Sequence, residues 1–305
     1  MNGFIKSHFV YFLTLSLVAG FFLAPALGGL NFLVIPLLSA IMVCSFLSVD
    51  YRLILNRIKK PKDLILAFVV MKVIVPVVLY YSLRSFDSTL AVGILLISAA
   101  PVAAVAPTIT GLCRGDVELV LMLLVVTTIL SPFTLPLTMN LLTGSVLSIN
   151  VRGMILSLLQ IIIVPLGLAW AAKRFLPGLI KKSSPYLSSL SVIILTFMLM
   201  ILMAQGAGAI KAQPLLVARY FIATLLLTVI LAAAGYYIFA FLPRPARIGL
   251  SLCMAYINVG LIIVIASRYF PVEVLILTLV FEMPMNILPG LIKKFTGRAL
   301  QKQPV

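Results

Sequence analysis

The 305-residue sequence has few charged side chains, and very few of them are acidic. Asp, Glu, Lys and Arg make up 10% of the chain and apolar residues 63%, whereas soluble globular domains average about 25% charged and about 45–50% apolar residues. This balance argues against a water-soluble fold. The composition indicates a protein whose solvent is the membrane.

Histidine and cysteine are also scarce, which limits the chemistry available. The single histidine, His8, lies near the N-terminus, and Cys44, Cys113 and Cys253 fall within or at the edge of apolar runs, with no pair at metal-ligand spacing. Neither a disulfide framework nor a zinc site is indicated. With one histidine near the N-terminus, the sequence offers no catalytic site of the hydrolase type that depends on histidine. We therefore predict no enzyme activity, no cofactor and no metal site.

Apolar runs of about 20 residues recur along the whole chain, and each could cross a hydrocarbon core of about 30 Å as a helix. There is no long polar segment, so we predict one membrane transport domain over residues 1–305, an all-α polytopic fold with ten transmembrane helices. The predicted spans are Phe9 to Leu27, Leu30 to Ser48, Leu64 to Leu83, Leu90 to Leu112, Val117 to Leu142, Met154 to Ala172, Tyr186 to Ala204, Leu215 to Phe241, Ile248 to Ser267 and Val272 to Ile292.

The first apolar run has an alternative interpretation as a signal peptide. Lys6 precedes it, and Ala24-Pro25-Ala26 lies near its end, as at a cleavage site. The run is long for a signal sequence, and its removal would break the pairing of the two halves described below. We therefore expect it to be a span.

The formal net charge of +16 is unevenly distributed along the chain, and its distribution predicts how the protein is oriented in the membrane. Seventeen of the 23 Lys and Arg residues fall on the face that both termini share, five on the opposite face, and one, Lys72, inside a span. By the positive-inside rule we expect both termini to be cytoplasmic, and we expect the protein to lie in the inner membrane. The basic charge then faces anionic lipid, and we expect no nucleic-acid partner.

A short internal similarity indicates a repeat. Val117-Glu118 opens the predicted fifth span and Val272-Glu273 opens the tenth, an offset of 155 residues between the two pairs. Five spans per half would make the second half enter from the opposite side, the inverted-repeat plan of many secondary transporters. We place repeat 1 at about residues 1–145 and repeat 2 at about residues 146–298.

The equivalent fourth and ninth spans are candidates for broken helices. The fourth carries Pro101 and Pro107, which remove backbone donors and clash with the preceding turn; adding 155 to Ala103 leads to Asn258 in the ninth. Irregular backbone at membrane depth is tolerated only inside protein or beside a water-filled cavity. The alternative is a pair of kinked packing helices.

Two ionisable residues fall inside predicted spans: Lys72 in the third and Glu282 in the tenth. A charge at that depth costs at least about 2.5–3.5 kcal/mol, so we expect both to face the interior. They could form a buried ion pair, or Lys72 could snorkel. The functional interpretation is that they couple transport to proton movement, since burial disfavours both charged forms.

Two segments resemble the bile acid:sodium symporter superfamily. Pro101 to Leu112 followed by Cys113-Arg114-Gly115-Asp116-Val117-Glu118-Leu119 is similar to that family's Pro-Gly-Gly-rich crossover and its Ala-Arg-Gly-Asp-x-x-Leu loop, and Asn258-Val259-Gly260-Leu261 resembles its Gln-Asn-x-Gly-Leu motif. The resemblance implies a panel and a core, with crossed, broken fourth and ninth helices at the substrate region. With the polar residues nearby, it suggests the substrate-binding residues Ala104, Thr108, Thr127, Ser131, Asn258 and Asn286.

The chain departs from the family where sodium ligands are expected. Ala106-Pro107 stands where the family has Ser-Asn, and Cys253 and Ile257 stand where it has Glu and Gln. Sodium needs oxygen ligands, which these side chains lack. Lys72 falls within one residue of a family sodium-site Gln, so its ammonium is hypothesised to replace sodium, with Glu282 as counter-charge.

We therefore expect a secondary transporter of a small organic anion that works by alternating access, independent of sodium and coupled to protons. Its partners are the substrate and membrane lipids. One alternative is a solute or lipid sensor or scaffold that binds without transport. Another is a weak-acid efflux carrier, as in the distantly similar auxin-efflux fold.

Overall fold

The computed structural model describes residues 9–48, 61–144 and 149–285, and within these ranges the regular structure is helical apart from one isolated antiparallel bridge. The helices are numbered in chain order: α1 (Phe9–Phe22), α2 (Ala24–Ser48), α3 (Lys62–Leu83), α4 (Ser88–Ala99), α5 (Ala106–Leu112), α6 (Val117–Thr143), α7 (Val151–Phe175), α8 (Pro177–Ala212), α9 (Pro214–Tyr237), α10 (Arg244–Ala255), α11 (Val259–Tyr269) and α12 (residues 272–285).

Six of these helices, α2, α3, α6, α7, α8 and α9, are long and apolar enough to cross a membrane alone. The helices α4 and α11 have 12 and 11 residues. At 1.5 Å per residue each rises only about 17–18 Å, roughly half of a bilayer core. The protein is therefore helical and polytopic, and the count of ten spans stays a prediction that requires short helices to combine.

Near two predicted span boundaries the helices extend further than expected. The seventh span was expected to start at Tyr186, and the apolar part of α8 that could cross a membrane starts close to it, at Ser189, but the helix itself begins at Pro177 and continues through Pro185. Proline suits the first turn of a helix, where its missing N–H has no intrahelical partner, so the break falls at Leu176. The second span begins at Ala24, six residues before the expected Leu30, because a 3₁₀ turn joins the two parts of α2.

The helices pack in two groups. We call α1, α2, α7 and α8 the panel, because α8 lies along α1 and α2 while α7 lies along α2. The remaining helices form the core, in which α9 packs on α10, α3 on α4, and α6 on α4, α5 and α10. In the core, α12 reaches α4 where Leu277 packs onto Gly93. The two groups meet along α6 and α7 and along α11.

Within the core, α9 and α10 approach each other closely at Gly235. A Cβ atom there would lie 2.5 Å from Leu250 O and 2.7 Å from Ser251 Cα. The Ser251 hydroxyl donates a hydrogen bond of 2.7 Å to Ala232 O on the same side. Small residues at such contacts are typical of helix packing in membranes.

Replacing Gly235 by Ala is expected to lower the free energy of unfolding by about 1–3 kcal/mol, because the added methyl group overpacks this contact. The measurement is the thermal unfolding midpoint in detergent. Gly208→Ala on α8 is the matched control, because nothing lies within 4 Å of a Cβ there. Equal midpoints for the two variants would contradict the close approach of α9 and α10.

Candidate functional site

Two helical rods are interrupted deep in the protein. The first unwound segment (residues 100–105) separates α4 from α5, and the second (residues 256–258) separates α10 from α11. Pro101 lies within the first break and Pro107 in the first turn of α5, and Asn258 caps α11 after the second break by accepting a hydrogen bond of 3.1 Å from Leu261 N–H. The breaks predicted in the fourth and ninth spans are therefore present.

The two unwound segments pair with each other. Val102 and Ile257 form an antiparallel bridge, Ala103 N–H donates to Tyr256 O at 2.9 Å, and Asn258 N–H donates to Pro101 O at 2.8 Å. Both bridging residues are fully buried. Each segment thus supplies hydrogen-bond partners that lipid cannot provide.

The same offset of 155 residues relates the two sides of this pairing. It carries Val102 to Ile257, the two residues of the bridge. It also carries the donor Ala103 to Asn258 and the acceptor Pro101 to Tyr256, so the two hydrogen bonds are interchanged. The sequence offset first seen at the helix starts therefore describes the local geometry.

Lys72 lies beside the first break, on a single π-helical turn of α3 (Val70–Ile74). Pro76 has no N–H to donate to the carbonyl of Lys72, which favours such a turn. The side chain is only 3% exposed. Its Nζ donates to Ala100 O and, at 3.5 Å, to Ser98 O.

This arrangement places a cation on the carbonyl oxygens at the C-terminal end of α4. These groups carry the negative end of the helix dipole and have no partner in the helix itself. Cys253 of α10 is within electrostatic range of the ammonium group. From the sequence we expected a carboxylate beside Lys72 and did not predict the carbonyl oxygens. These oxygens belong to residues more than 20 positions away, and they come close to Lys72 only when α4 packs against α3 in the folded protein.

Glu282 lies on α12 and is 2% exposed, so it faces the interior as expected. It is within electrostatic range of Tyr256, in the second unwound segment. Its pairing with Lys72 stays a prediction. Both intramembrane ionisable groups are thus buried in the core, and Lys72 contacts the first break directly.

The hydroxyl groups predicted on the fifth span bond to backbone. Thr127 Oγ1 accepts a hydrogen bond of 3.0 Å from Val102 N–H and donates to Leu124 O at 3.3 Å. Ser131 donates to Thr128 O at 2.8 Å. Thr127 therefore fixes the first unwound segment to α6, while Ser131 bonds within its own helix.

The other predicted substrate residues have different surroundings. Ala104 and Thr108 are exposed. Asn258 is half-buried, and its amide donates to Met42 Sδ of the panel at 3.9 Å. Asn286 lies outside the described residues.

The core contacts the panel along α11 more closely than along α5. A Cβ on Gly260 would lie 3.0 Å from Met198 Cε and 3.7 Å from Leu38 Cδ1, and the hydroxyl groups of Tyr269 and Ser157 are 2.6 Å apart. By contrast, α5 packs on α6 and α10 of the core. Sequence reasoning missed the Tyr269 contact, because its partner is 112 residues away.

A groove of about 440 Å³ lies elsewhere, where α7 ends and α8 begins. Its lining residues are Lys173, Pro177, Ile180, Lys181, Ser184 and Pro185. None of the predicted site residues is among them. The paired breaks with Lys72 are therefore the candidate site.

The chain is similar to known membrane transport proteins. It is 26% identical over 157 residues to the "Probable sodium/metabolite cotransporter BASS1, chloroplastic" of Oryza sativa subsp. japonica, a match that covers 51% of this chain and 39% of that protein. It is 26% identical over 153 residues to the "Uncharacterized protein YbaS" of Bacillus subtilis (strain 168), covering 49% of this chain and 50% of that protein. The matches thus span half or less of these relatives.

A family model for the sodium bile acid symporters matches residues 35–213. This range extends from α2 to the end of α8 and includes Lys72, the first unwound segment and Thr127. It covers more than half of the chain. Together with the paired breaks, it shows that the chain belongs to the sodium bile acid symporter family, whose members are membrane transporters and not enzymes.

Proposed function

We propose that the protein is a ten-helix secondary transporter of a small organic anion that works by alternating access between the panel and the core. The pairing of the two unwound segments carries this proposal, since discontinuous helices that meet inside the membrane form the binding sites of many transporters. The interchange of the two hydrogen bonds by the 155-residue offset supports two inverted repeats, at about residues 1–145 and 146–298.

The transporter is sodium-independent in this proposal, with Lys72 in place of a sodium ion. The position of Nζ on the carbonyl oxygens of Ala100 and Ser98 supports it, because carbonyl oxygens are also what a sodium ion would need. Cys253 and Ile257 offer no side-chain oxygen nearby. Proton movement through Lys72 and Glu282 is the proposed coupling.

An anionic substrate fits the charge of the crossing. Lys72 brings a positive group to the end of α4, and the N-terminal end of α11 points its dipole at the second break. The exposed residues Ala104 and Thr108 lie next to the crossing on the α5 side. We propose that the substrate enters there and contacts both.

The orientation follows from the basic residues. With both termini cytoplasmic in the inner membrane, α5 leads to the cytoplasmic face at Arg114 and α11 leads to the opposite face at Arg268. In this orientation the contacts between α11 and the panel block access to the crossing from the outside, and the exposed face of α5 leaves it accessible from the cytoplasm. The conformation is thus the inward-open state of the proposed cycle.

Transport is tested with purified protein in proteoliposomes. A screen of small carboxylates by thermal stabilisation, at two pH values and with sodium or choline, selects a ligand, and flux of that ligand is then measured. Flux without sodium supports the proposal. Binding without flux would instead indicate a sensor or scaffold, and flux that requires sodium would refute sodium independence.

Lys72→Gln is expected to lower the free energy of unfolding by about 1.5–3 kcal/mol, because the carbonyl oxygens at the end of α4 lose a charged donor. Sodium should restore part of this loss, since the ion can occupy the vacated position, whereas choline should not. The measurement is the thermal midpoint in each salt. Lys211→Gln, on the exposed end of α8, is the control, and an identical response of both variants would count against the role of Lys72.

A cysteine at Thr108 is expected to react with a membrane-impermeant maleimide added on the side of Arg114. The residue one offset away, Ile263 on α11, is fully buried, so Ile263→Cys should stay unlabelled from either side. Labelling of oriented membrane vesicles measures the difference. Equal labelling of both positions would contradict the inward-open assignment.

Tyr269→Phe is expected to weaken closure of the outer side by about 0.5–1.5 kcal/mol, the net value of one hydrogen bond. Labelling of Thr108→Cys should then slow as the outward-open state gains population. Ser157→Ala should have the same effect, and the double variant should add nothing further, because both remove one contact. Additive effects would show that the two hydroxyl groups act separately.

A further inference from the structure

The two bridging residues have a backbone requirement that their pairing leaves unmet. The hydrogen bonds of the bridge run between the neighbours of Val102 and Ile257. In this type of antiparallel pair the N–H groups of the two opposed residues point away from each other. Both residues are fully buried, so each N–H needs another acceptor.

For the first unwound segment the acceptor is Thr127, whose Oγ1 lies 3.0 Å from Val102 N. Thr127 is ten residues after Val117, the first residue of α6. The helix α6 therefore supplies a side chain that bonds to the first unwound segment on the side facing away from the second.

For the second unwound segment the equivalent position is Glu282. It is ten residues after residue 272, where α12 starts, and the 155-residue offset carries Thr127 to it as it carries Val102 to Ile257. The offset holds at the paired segments and at the helix starts, and α12 is an uninterrupted helix from residue 272 to Glu282. Glu282 is also buried and close enough to Tyr256 for electrostatic interaction.

We propose that the carboxyl group of Glu282 accepts a hydrogen bond from Ile257 N–H through one water molecule, and so holds the second unwound segment against α12 as Thr127 holds the first against α6. Glu282 is then a positioning residue for the crossing.

The test is hydrogen–deuterium exchange of peptides that cover each unwound segment, measured on the full chain in detergent without any substrate. The informative pair of variants is Glu282→Thr and Glu282→Val. Their new side chains have the same shape, but threonine carries a hydroxyl group where valine carries a methyl group. Glu282→Val should speed exchange at residues 256–258 by about tenfold or more, since a buried donor is left without its acceptor. Glu282→Thr should restore protection, since threonine performs this role at the equivalent position.

Thr127→Val is the matched variant of the other half, and it should speed exchange at the first segment while leaving the second unchanged. Equal exchange of Glu282→Thr and Glu282→Val would overturn the proposal, as would full protection in Glu282→Val. If Glu282→Val loosens the whole chain, the difference between the valine and threonine variants still decides. The readout needs no transport, so failure of the transport proposal would leave it standing.

Discussion

The constraint on which this fold depends is that a backbone inside a bilayer must find its hydrogen-bond partners within the protein. Two helices are interrupted at membrane depth, and the backbone groups that one break leaves without helical partners bond to those of the other through Ala103, Tyr256, Asn258 and Pro101. Neither break would be stable alone. The crossing therefore ties the two halves of the core together.

The carbonyl oxygens at the end of α4 are a second consequence of the same break. In an uninterrupted helix these carbonyl oxygens would accept hydrogen bonds from the next turn. At an interrupted helix they lack those donors and need another donor or a cation. In this chain the cation is covalently attached, because a π-helical turn brings Lys72 inward. When protonated, the Lys72 ammonium group brings a positive charge to the end of α4 without any ion having to bind there.

The panel is asymmetric with respect to the crossing. It contacts α11 through Leu38 and Met198 and Asn258, just before α11, through Met42, and it leaves Ala104 and Thr108 of the other side exposed. The two breaks are therefore related by symmetry, but the panel contacts around them are not. In the proposed alternating-access cycle, exchanging the panel contacts of α11 for contacts with α5 would reverse the open side.

The sequence alone determined the membrane class, the family, the two breaks and the burial of Lys72 and Glu282, because each depends on composition, local proline chemistry or the cost of charge in lipid. It misplaced the start of α8, since a proline early in a helix can be read as a loop. Only the tertiary structure decided that Thr127 supports the first break, that Lys72 contacts carbonyl oxygens and that Tyr269 meets Ser157. These contacts join residues far apart in the chain, and no spacing rule within one helix encodes them.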